Sequence, residues 1–350
     1  MLQVNVNKVY LAKPRGFCAG VEMAIKSLTW MVRVFEPPVY CYHEIVHNRV
    51  VVDRFEKLGV IFVNDIGEVP RGAPVMLSAH GSAPEIVDSA RETAGINVNA
   101  VCPLVTKVHH EVKVRSKKGY SIVYVGHKGH DEAVGTMAVA PESVKLIETE
   151  ADLEQLKVDD SLVALLTQTT LSIDEWAGVK QAAEKRFPDI WMPNRSDLCF
   201  ATTNRQMAIR EIASLSETVI VIGSANSSNT VALEKTAKRY GAQQVYRINH
   251  PNELPTELEG VVGVTAGASA PEDLVRSVID RLNPLNGVEE VNVTFEDEYF
   301  PPPPELRDLL RTVADALTLA MVAPASKDYP VDNDRNVKAS DILEKLTAKC

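Results

Sequence analysis

The stretch VYLAKPRGFCAGVEMAIKSL, residues 9–28, decides how this chain is built. It contains a short apolar strand, a Pro-Arg-Gly-Phe turn, a single cysteine, Cys18, and the first turns of a helix. The apolar positions after the cysteine follow helical spacing rather than strict alternation: Val21, Ala24, Ile25 and Leu28. We therefore searched the rest of the chain for the same order of cysteine and helix.

The same unit occurs twice more, in NAVCPLVTKVHHEVKVRSKKG (99–119) and DLCFATTNRQMAIREIASLS (197–216). Cys102 and Cys199 therefore also stand directly before helical stretches. A β-branched run that ends in a polar loop begins 19 or 20 residues after each cysteine. A second strand and polar loop follow in each copy: APVMLSAHGSAPE, SLVALLTQTTLSIDE and GVVGVTAGASAPED. The three cysteines thus occupy equivalent positions in a sequence pattern that is repeated three times.

The cysteines are 84 residues apart from Cys18 to Cys102 and 97 residues apart from Cys102 to Cys199. This length suits a small α/β lobe and is too long for a solenoid repeat. Apolar strands that alternate with amphipathic helices predict mostly parallel sheets covered by helices, with ligand loops at the carboxyl ends of the strands. We therefore predict an α/β fold of three lobes related by a pseudo-threefold axis. The predicted lobes are 1–100, 101–195 and 196–285, followed by a return strand and a partly mobile C-terminal extension, 286–350.

Composition limits the classes of protein to which the chain can belong. It has 350 residues, a formal net charge of −10 and only five scattered cysteines. The cysteine pattern is unlike a secreted disulfide framework, and no apolar run reaches the roughly 20 residues that a membrane helix needs. The acidic balance argues against broad nucleic-acid binding. We expect a cytoplasmic protein with reduced thiols that binds neither membranes nor nucleic acid.

Three cysteines at one repeated position predict a shared metal centre, although none belongs to a CxxC pair. Thiolates at one point repel each other unless a metal neutralises them, and a helix N-terminus favours the deprotonated form. A 4Fe-4S cluster held by three thiolates keeps one iron open as a Lewis acid. Zinc with three cysteines and a water is an alternative, as are ordinary buried thiols, but sulfur-only ligation favours the cluster. Cys41 and Cys350 are interpreted as structural.

Polar side chains in the repeated loops predict an anion site. His47 and His80 come from the first lobe, and the third lobe contributes Ser227, Ser228, Asn229 and Ser269. Such groups beside helix starts can bind phosphate, and the sequence has no Walker or dinucleotide fingerprint. In the second lobe GHKGHDE supplies His130 and Glu132. A carboxyl in a closed site beside a metal is suited to proton donation, with Thr169 as a relay. The alternative is that Glu132 only stabilises a helix start.

Nine motifs occur in one order between about Tyr10 and about Leu282: NKVYLAKPRGFCAGVEMAI, HEIVHN, SAHGSAP, CPLVTKVH, GHKGHDEAVGTM, TQTTLS, CFATTNRQ, GSANSSN and GVTAGASAPE. Together they resemble the 4-hydroxy-3-methylbut-2-enyl diphosphate reductase family. The resemblance implies a reductive dehydration in which two electrons and two protons remove the allylic hydroxyl as water. The products would be isopentenyl and dimethylallyl diphosphate, in the last step of the non-mevalonate isoprenoid pathway.

The same resemblance assigns roles to individual residues. Cys18, Cys102 and Cys199 would ligate one 4Fe-4S cluster per chain, whose open iron would take the substrate hydroxyl. Six side chains would hold the diphosphate, with His130 beside them: His47, His80, Ser227, Ser228, Asn229 and Ser269. Glu132 would deliver protons to the leaving oxygen, assisted by Thr169.

Two other functions fit part of the pattern. Quinolinate synthase is similar in having three lobes, three lone cysteines and an open iron, but it catalyses a condensation. The TQTT, SSN and AGASAP loops favour the reductase. A regulator that senses iron or oxygen through a cluster should lack the proton donor and the diphosphate loops, and both are predicted in this chain.

The resemblance identifies neither the electron donor nor the role of the C-terminal extension. No flavin or nicotinamide fingerprint occurs, so we expect an external donor of the ferredoxin or flavodoxin class. Candidates for docking such an acidic protein are Lys113, Arg115, Lys117 and Lys118. The segment after Pro304 has no counterpart in the compact form of the family, and we predict an amphipathic helix there without chemistry.

Overall fold

In the computed structural model, residues 3–158, 161–321 and 334–348 are described. They form three separate parallel sheets flanked by helices, which confirms the predicted α/β class. Within the C-terminal extension predicted to be partly mobile, residues 322–333 lie outside the described residues, as does Cys350.

The strands are grouped by sheet. The first sheet has the order β3-β2-β4-β5, with β2 (Val39–Tyr42), β3 (Val60–Val63), β4 (Pro74–Leu77) and β5 (Ile96–Asn99). The second has the order β7-β6-β8, with β6 (Ser121–Val125), β7 (Val144–Ile147) and β8 (Val163–Thr167). The third has the order β10-β9-β11-β1-β12, with β1 (Gln3–Lys13), β9 (Thr218–Ile222), β10 (Gln244–Ile248), β11 (Glu257–Ala266) and β12 (Val288–Asn292).

The sheets repeat one pairing plan. The two predicted strands of each copy, β2 and β4, β6 and β8, or β9 and β11, are parallel neighbours. A short third strand, β3, β7 or β10, adds to the free edge of the first of them. The sequence did not predict these short strands, which are partly exposed and so lack the continuous buried pattern of β8 and β9.

The segment that precedes each cysteine pairs with the second predicted strand of a sheet, through a strand or, before Cys199, through a single bridge. β5 precedes Cys102 and pairs with β4, and Trp191 precedes Cys199 and bridges to Ala164 of β8. β1 precedes Cys18 and pairs with β11, so the beginning of the chain completes the third sheet rather than the first. β12 then pairs with the other edge of β1. The predicted lobe boundaries, which place residues 1–13 in the first lobe, stay a prediction.

Ten helices of the described residues lie between these strands: α1 (Ala19–Val34), α2 (Arg49–Lys57), α3 (Pro84–Thr93), α4 (Pro103–Lys117), α5 (Asp131–Ala138), α6 (Glu150–Gln155), α7 (Ile173–Arg186), α8 (Phe200–Ser214), α9 (Ser228–Arg239) and α10 (Glu272–Leu282). Two more, α11 (Pro304–Met321) and α12 (Ala339–Thr347), follow β12. All five residues of β8 and of β9 are buried, as expected for parallel strands covered by helices on both faces. Within the three described ranges, every helix is too short or too polar to cross a lipid bilayer.

The chain divides into two compact units. The larger one contains the second and third sheets, together with residues up to Cys18 and the segment His47–Val50. The smaller one contains the first sheet, α1, α3 and the C-terminal helices.

Within the smaller unit, the C-terminal extension packs on α1. The first N–H of α12, that of Ala339, donates to Glu22 Oε2 at 2.7 Å. The buried Lys26 ammonium donates to the Asp334 carbonyl oxygen at 3.1 Å. Leu343 of α12 is fully buried. The extension therefore covers one face of the helix that follows Cys18.

Candidate active site

The three repeated cysteines share one local geometry. Each directly precedes a helix, as predicted: α1, α4 or α8. Each also donates its backbone N–H to a carbonyl oxygen in one of the repeated polar loops. These bonds are Cys18 to Ala268 (3.3 Å), Cys102 to Ala79 (3.0 Å) and Cys199 to Thr169 (2.9 Å). The backbone of each cysteine is thus fixed by the loop that follows the second predicted strand of a repeat.

The surroundings of Cys199 disfavour a lone thiolate. Burial, together with the nearby Cys18 sulfur, raises the pKa of the Cys199 thiol to about 12. The N–H groups of Ala201 and Thr202 act in the opposite direction. Two thiols that interact in a buried place become thiolates only when a positive centre compensates their charge. Cys41 is fully buried within β2, where burial alone raises its pKa, in line with a structural role.

Arg205 ties the segment before Cys18 to α8, the helix that follows Cys199. Its side chain is fully buried and donates to the carbonyl oxygens of Gly16 (2.8 Å), Phe17 (3.3 Å) and Ala201 (2.9 Å). It also pairs with the Glu296 carboxylate at 3.0 Å. The sequence analysis quoted this arginine within CFATTNRQ without giving it a role. Arg205 lies one turn from Ala201 and from Ile209, on the apolar face of α8, and this position was the evidence in the sequence that its side chain is buried.

Replacing Arg205 with Met is expected to lower the free energy of unfolding by about 3–5 kcal/mol, because it leaves the partly buried Glu296 carboxylate without its cation and removes the donors to several carbonyl oxygens. Urea unfolding of the anaerobic protein measures this change. The control is Arg239→Met, since Arg239 is 65% exposed and pairs with Asp174 at 3.1 Å. Exposed pairs contribute about 0–1 kcal/mol. Equal destabilisation by the two variants would contradict this structural role of Arg205.

Glu132 lies in the first turn of α5, but its carboxyl group leaves that helix and binds the loop after β8. Its oxygens accept from the backbone N–H of Thr169 at 2.8 Å and from the Thr169 hydroxyl at 3.0 Å. The residue is 2% exposed, and burial raises the pKa of its carboxyl to about 7 although the Thr169 bonds lower it. A carboxyl with this pKa holds a transferable proton near neutral pH.

His130 caps α5 beside Glu132. Its Nδ1 accepts the Glu132 backbone N–H at 3.2 Å, so the ring proton of the neutral form is on Nε2. Burial lowers the pKa of His130 to about 4, helped by the neighbouring His47. The His47 and His130 rings meet edge to face with centroids 5.1 Å apart, and His47 Nε2 is 3.8 Å from Asp131 Oδ2. His130 is therefore a neutral hydrogen-bond donor within a group of imidazoles.

The polar loops of the third repeat lie at the start of α9 and beside His47. The Ser227 hydroxyl caps α9 by accepting the Thr230 N–H at 3.3 Å. Ser228 Oγ is 3.2 Å from His127 Nδ1, and the Ser269 hydroxyl donates to the His47 carbonyl oxygen at 2.9 Å. The structure thus brings Ser228 and Ser269 into contact with the histidine loops of the larger unit.

Asn229 is the residue of this loop that most clearly indicates a ligand site. It is 3% exposed, yet neither Oδ1 nor Nδ2 of its side-chain amide has a hydrogen-bond partner among the residues that the structure describes. Buried amides are nearly always satisfied, by protein, water or ligand. Gly267 makes room beside it, since a Cβ there would collide with Thr230 Oγ1.

The remaining predicted residues are placed as follows. His80 belongs to the smaller unit, where its Nδ1 is 3.4 Å from Ser78 Oγ. Lys113 and Lys117 are exposed on α4, and Lys118 is exposed directly after its end. Arg115 pairs with Glu111 at 3.4 Å, and its guanidinium stacks 3.6 Å from the Trp191 ring centre. The docking of an electron donor on these four residues stays a prediction.

Comparison with known proteins places the chain in a family. The family model described as LytB protein matches residues 9–283. The 4-hydroxy-3-methylbut-2-enyl diphosphate reductase of Rhodopirellula baltica is 45% identical over 306 residues, which cover 86% of this chain and 96% of the relative. The protein of the same name from Acidothermus cellulolyticus is 42% identical and covers 90% and 95% of the two chains.

Solved structures agree with this placement. The E-1-hydroxy-2-methyl-but-2-enyl-4-diphosphate reductase of Plasmodium falciparum matches with a TM-score of 0.84 and 32% identity, over 88% of this chain and 99% of that one. A structure of (E)-4-hydroxy-3-methyl-but-2-enyl diphosphate reductase, described as the terminal enzyme of the non-mevalonate pathway, matches at 0.58 with 28% identity, over 79% and 99%. The chain therefore belongs to the LytB protein family and is an oxidoreductase.

Proposed function

We propose that this chain catalyses the two-electron reductive dehydroxylation of (E)-4-hydroxy-3-methylbut-2-enyl diphosphate. One proton leaves with the hydroxyl as water and the second is added to carbon, which yields isopentenyl or dimethylallyl diphosphate. The observation that supports this most is the buried Glu132 carboxyl, held by Thr169, with a pKa raised to about 7. Hydroxide is a poor leaving group, so the reaction needs an acid that is protonated near neutral pH.

The donor set fits a 4Fe-4S cluster held by Cys18, Cys102 and Cys199. Each is a lone sulfur donor at a helix start, with its backbone fixed by an equivalent loop carbonyl. Burial and the neighbouring Cys18 sulfur make the Cys199 thiolate unfavourable unless a positive centre is present. When bound, such a cluster supplies the electrons and, with three protein ligands, a Lewis-acidic iron. An external donor of the ferredoxin or flavodoxin class would deliver the electrons.

The side chains of the repeated loops would bind the diphosphate: His47, His80, Ser227, Ser228, Asn229 and Ser269. The unsatisfied Asn229 amide and the N-terminus of α9 offer donors to phosphate oxygens. His130, neutral with its proton on Nε2, would add one more donor. Glu132 would then protonate the leaving oxygen, while the Thr169 hydroxyl orients its carboxyl.

Activity should fall as the pH rises through about 7, because the acid loses its proton when the solution pH exceeds the raised pKa of Glu132. Above that pH we expect kcat/KM to drop about tenfold per pH unit. Stopped-flow turnover with reduced methyl viologen between pH 5.5 and 9 measures this, with iron content checked at each pH. A flat profile from pH 6 to 9 would contradict the role of Glu132 as the acid.

The function itself is tested by anaerobic turnover. Iron and sulfide are loaded into the protein, substrate and reduced methyl viologen are added, and the products are identified by mass spectrometry. Two equivalents of viologen oxidised per substrate, with both five-carbon diphosphates formed, are expected. A loaded protein that leaves the substrate unchanged would overturn the proposal.

A further inference from the structure

His127, the first histidine of the GHKGHDE loop, contacts the residue that begins α9. Its Nδ1 lies 3.2 Å from Ser228 Oγ, and the Ser228 hydroxyl also donates to the Thr170 carbonyl oxygen at 3.4 Å. Ser228 is partly exposed at a helix N-terminus, where a hydroxyl can bind an anion. The Ser228 hydroxyl thus has two protein neighbours, one on each side.

One arrangement of protons satisfies both contacts of this hydroxyl. A carbonyl oxygen only accepts, and a hydroxyl has a single proton, so a Ser228 hydroxyl that donates to Thr170 must accept from His127. His127 then has its ring proton on Nδ1. The His127 donor polarises the hydroxyl, which makes the Ser228 proton a stronger donor. A phosphate oxygen, being charged, is a better acceptor for that proton than the Thr170 carbonyl at 3.4 Å.

The other tautomer of His127 would oppose anion binding. With the ring proton on Nε2, Nδ1 accepts the proton of Ser228, and the hydroxyl has no proton left for a phosphate oxygen. The His127 ring therefore determines whether Ser228 can donate to a ligand.

Gln168 holds both neighbours of Ser228. Its side chain is fully buried, its Oε1 accepts the His127 backbone N–H at 2.9 Å, and its Nε2 donates to Thr170 Oγ1 at 2.8 Å. Gly126 makes room for this amide, since a Cβ there would lie 3.0 Å from Gln168 Oε1. One buried side chain thus fixes the backbone of the histidine loop relative to the loop after β8.

We propose that His127 is a positioning residue, which donates from Nδ1 to Ser228 Oγ and so directs the Ser228 hydroxyl toward a phosphate oxygen of the substrate. The inference rests on the proposed function for the identity of this anion. His127 does not touch the substrate in this scheme, and Gln168 fixes the backbone from which its ring extends. The effect of His127 on diphosphate binding should therefore disappear when the Ser228 hydroxyl is removed.

The test is a double-mutant cycle on the full, iron-loaded chain, with inorganic diphosphate as the probe. Its Kd is measured by isothermal titration calorimetry without oxygen. His127→Gln should weaken diphosphate binding about three- to tenfold, as expected for the loss of one hydrogen bond. Ser228→Ala should weaken it at least as much. In the Ser228→Ala background, the His127 substitution should change Kd by less than about twofold, because its partner is already absent.

His127→Asn is the conservative variant. The amide nitrogen of Asn reaches the place of Nδ1 and can donate there, whereas that of Gln reaches the place of Nε2. His127→Asn should therefore keep Kd within about twofold of the unchanged protein. If His127→Gln does not fold, His127→Phe, which keeps a ring but has no donor, completes the same cycle. In turnover, KM for the allylic diphosphate should follow the order of Kd while kcat stays nearly constant.

His250→Gln is the matched control. His250 is an exposed loop histidine of the same unit, and its Nδ1 accepts the Asn252 N–H at 3.2 Å. It lies outside the loops of the proposed site, so its replacement should leave the Kd for diphosphate unchanged.

Additive losses in the cycle, with normal melting and iron content, would overturn the inference, because His127 would then act independently of Ser228. Equal losses in His127→Asn and His127→Gln would overturn it as well. An additive cycle in a protein that converts the allylic diphosphate would refute this inference alone. The expected cycle in a protein that does not convert it would refute the proposed function alone, and an unchanged protein that does not bind diphosphate would overturn both.

Discussion

Glu132→Gln lowers kcat by about 10²- to 10⁴-fold and changes KM by less than about threefold. The amide keeps the size of the side chain and accepts the Thr169 N–H, but it cannot donate a proton to the leaving oxygen. The substitution therefore removes stabilisation of the transition state and leaves substrate binding nearly unchanged. Steady-state kinetics with reduced methyl viologen measure both constants.

Glu142→Gln is the matched control for this variant, since Glu142 is an exposed carboxylate just after the same helix, α5. It should retain full activity. A Glu132→Gln variant that binds substrate weakly and turns over normally would show that the residue holds the substrate and does not act as the acid.

Changing Cys18, Cys102 or Cys199 to Ser has the other large expected effect. Each variant should lose most of its bound iron, and turnover should fall by more than about a hundredfold, because a hydroxyl is a poor ligand for iron in a sulfur-bound cluster. Iron and sulfide analysis after anaerobic loading, together with the visible absorption of the cluster, measures the loss.

Cys41→Ala is the control for the cysteine series. Cys41 is fully buried in β2, so its replacement creates a small cavity without removing a proposed ligand. It should bind iron as the unchanged protein does. Full iron content in any one of the three Ser variants would exclude that cysteine as a ligand.

The sequence predicted a strand before Cys18 and two strands after each cysteine, but not which sheet the strand before Cys18 joins. Apolar runs such as TVIVI, the later β9, identify a buried parallel strand from its own residues. The partner of β1 is set by tertiary pairing, and nothing within residues 3–13 distinguishes β11 from β4. The repeated order of strand before cysteine was the missing clue, because it makes β1 the counterpart of β5.

For the candidate site, too, the sequence predicted some features and the structure was needed for others. The sequence left open whether Glu132 stabilises a helix start or donates protons. The structure shows that it lies in the first turn of α5 while its carboxyl group binds Thr169 instead of that helix. Arg205 was not given a role, because its place on the apolar face of α8 indicates burial but does not identify its partner, Glu296, which is 91 residues away along the chain.

The most direct test of the central claim, a three-cysteine cluster beside the Glu132 acid, is Mössbauer spectroscopy of the iron-57-loaded protein. Spectra are recorded without oxygen, with and without 4-hydroxy-3-methylbut-2-enyl diphosphate. We predict three similar irons and one distinct iron whose signal alone shifts when substrate is added, in both the unchanged protein and Glu132→Gln. Four equivalent irons that do not respond to substrate, or the absence of a cluster, would contradict the account.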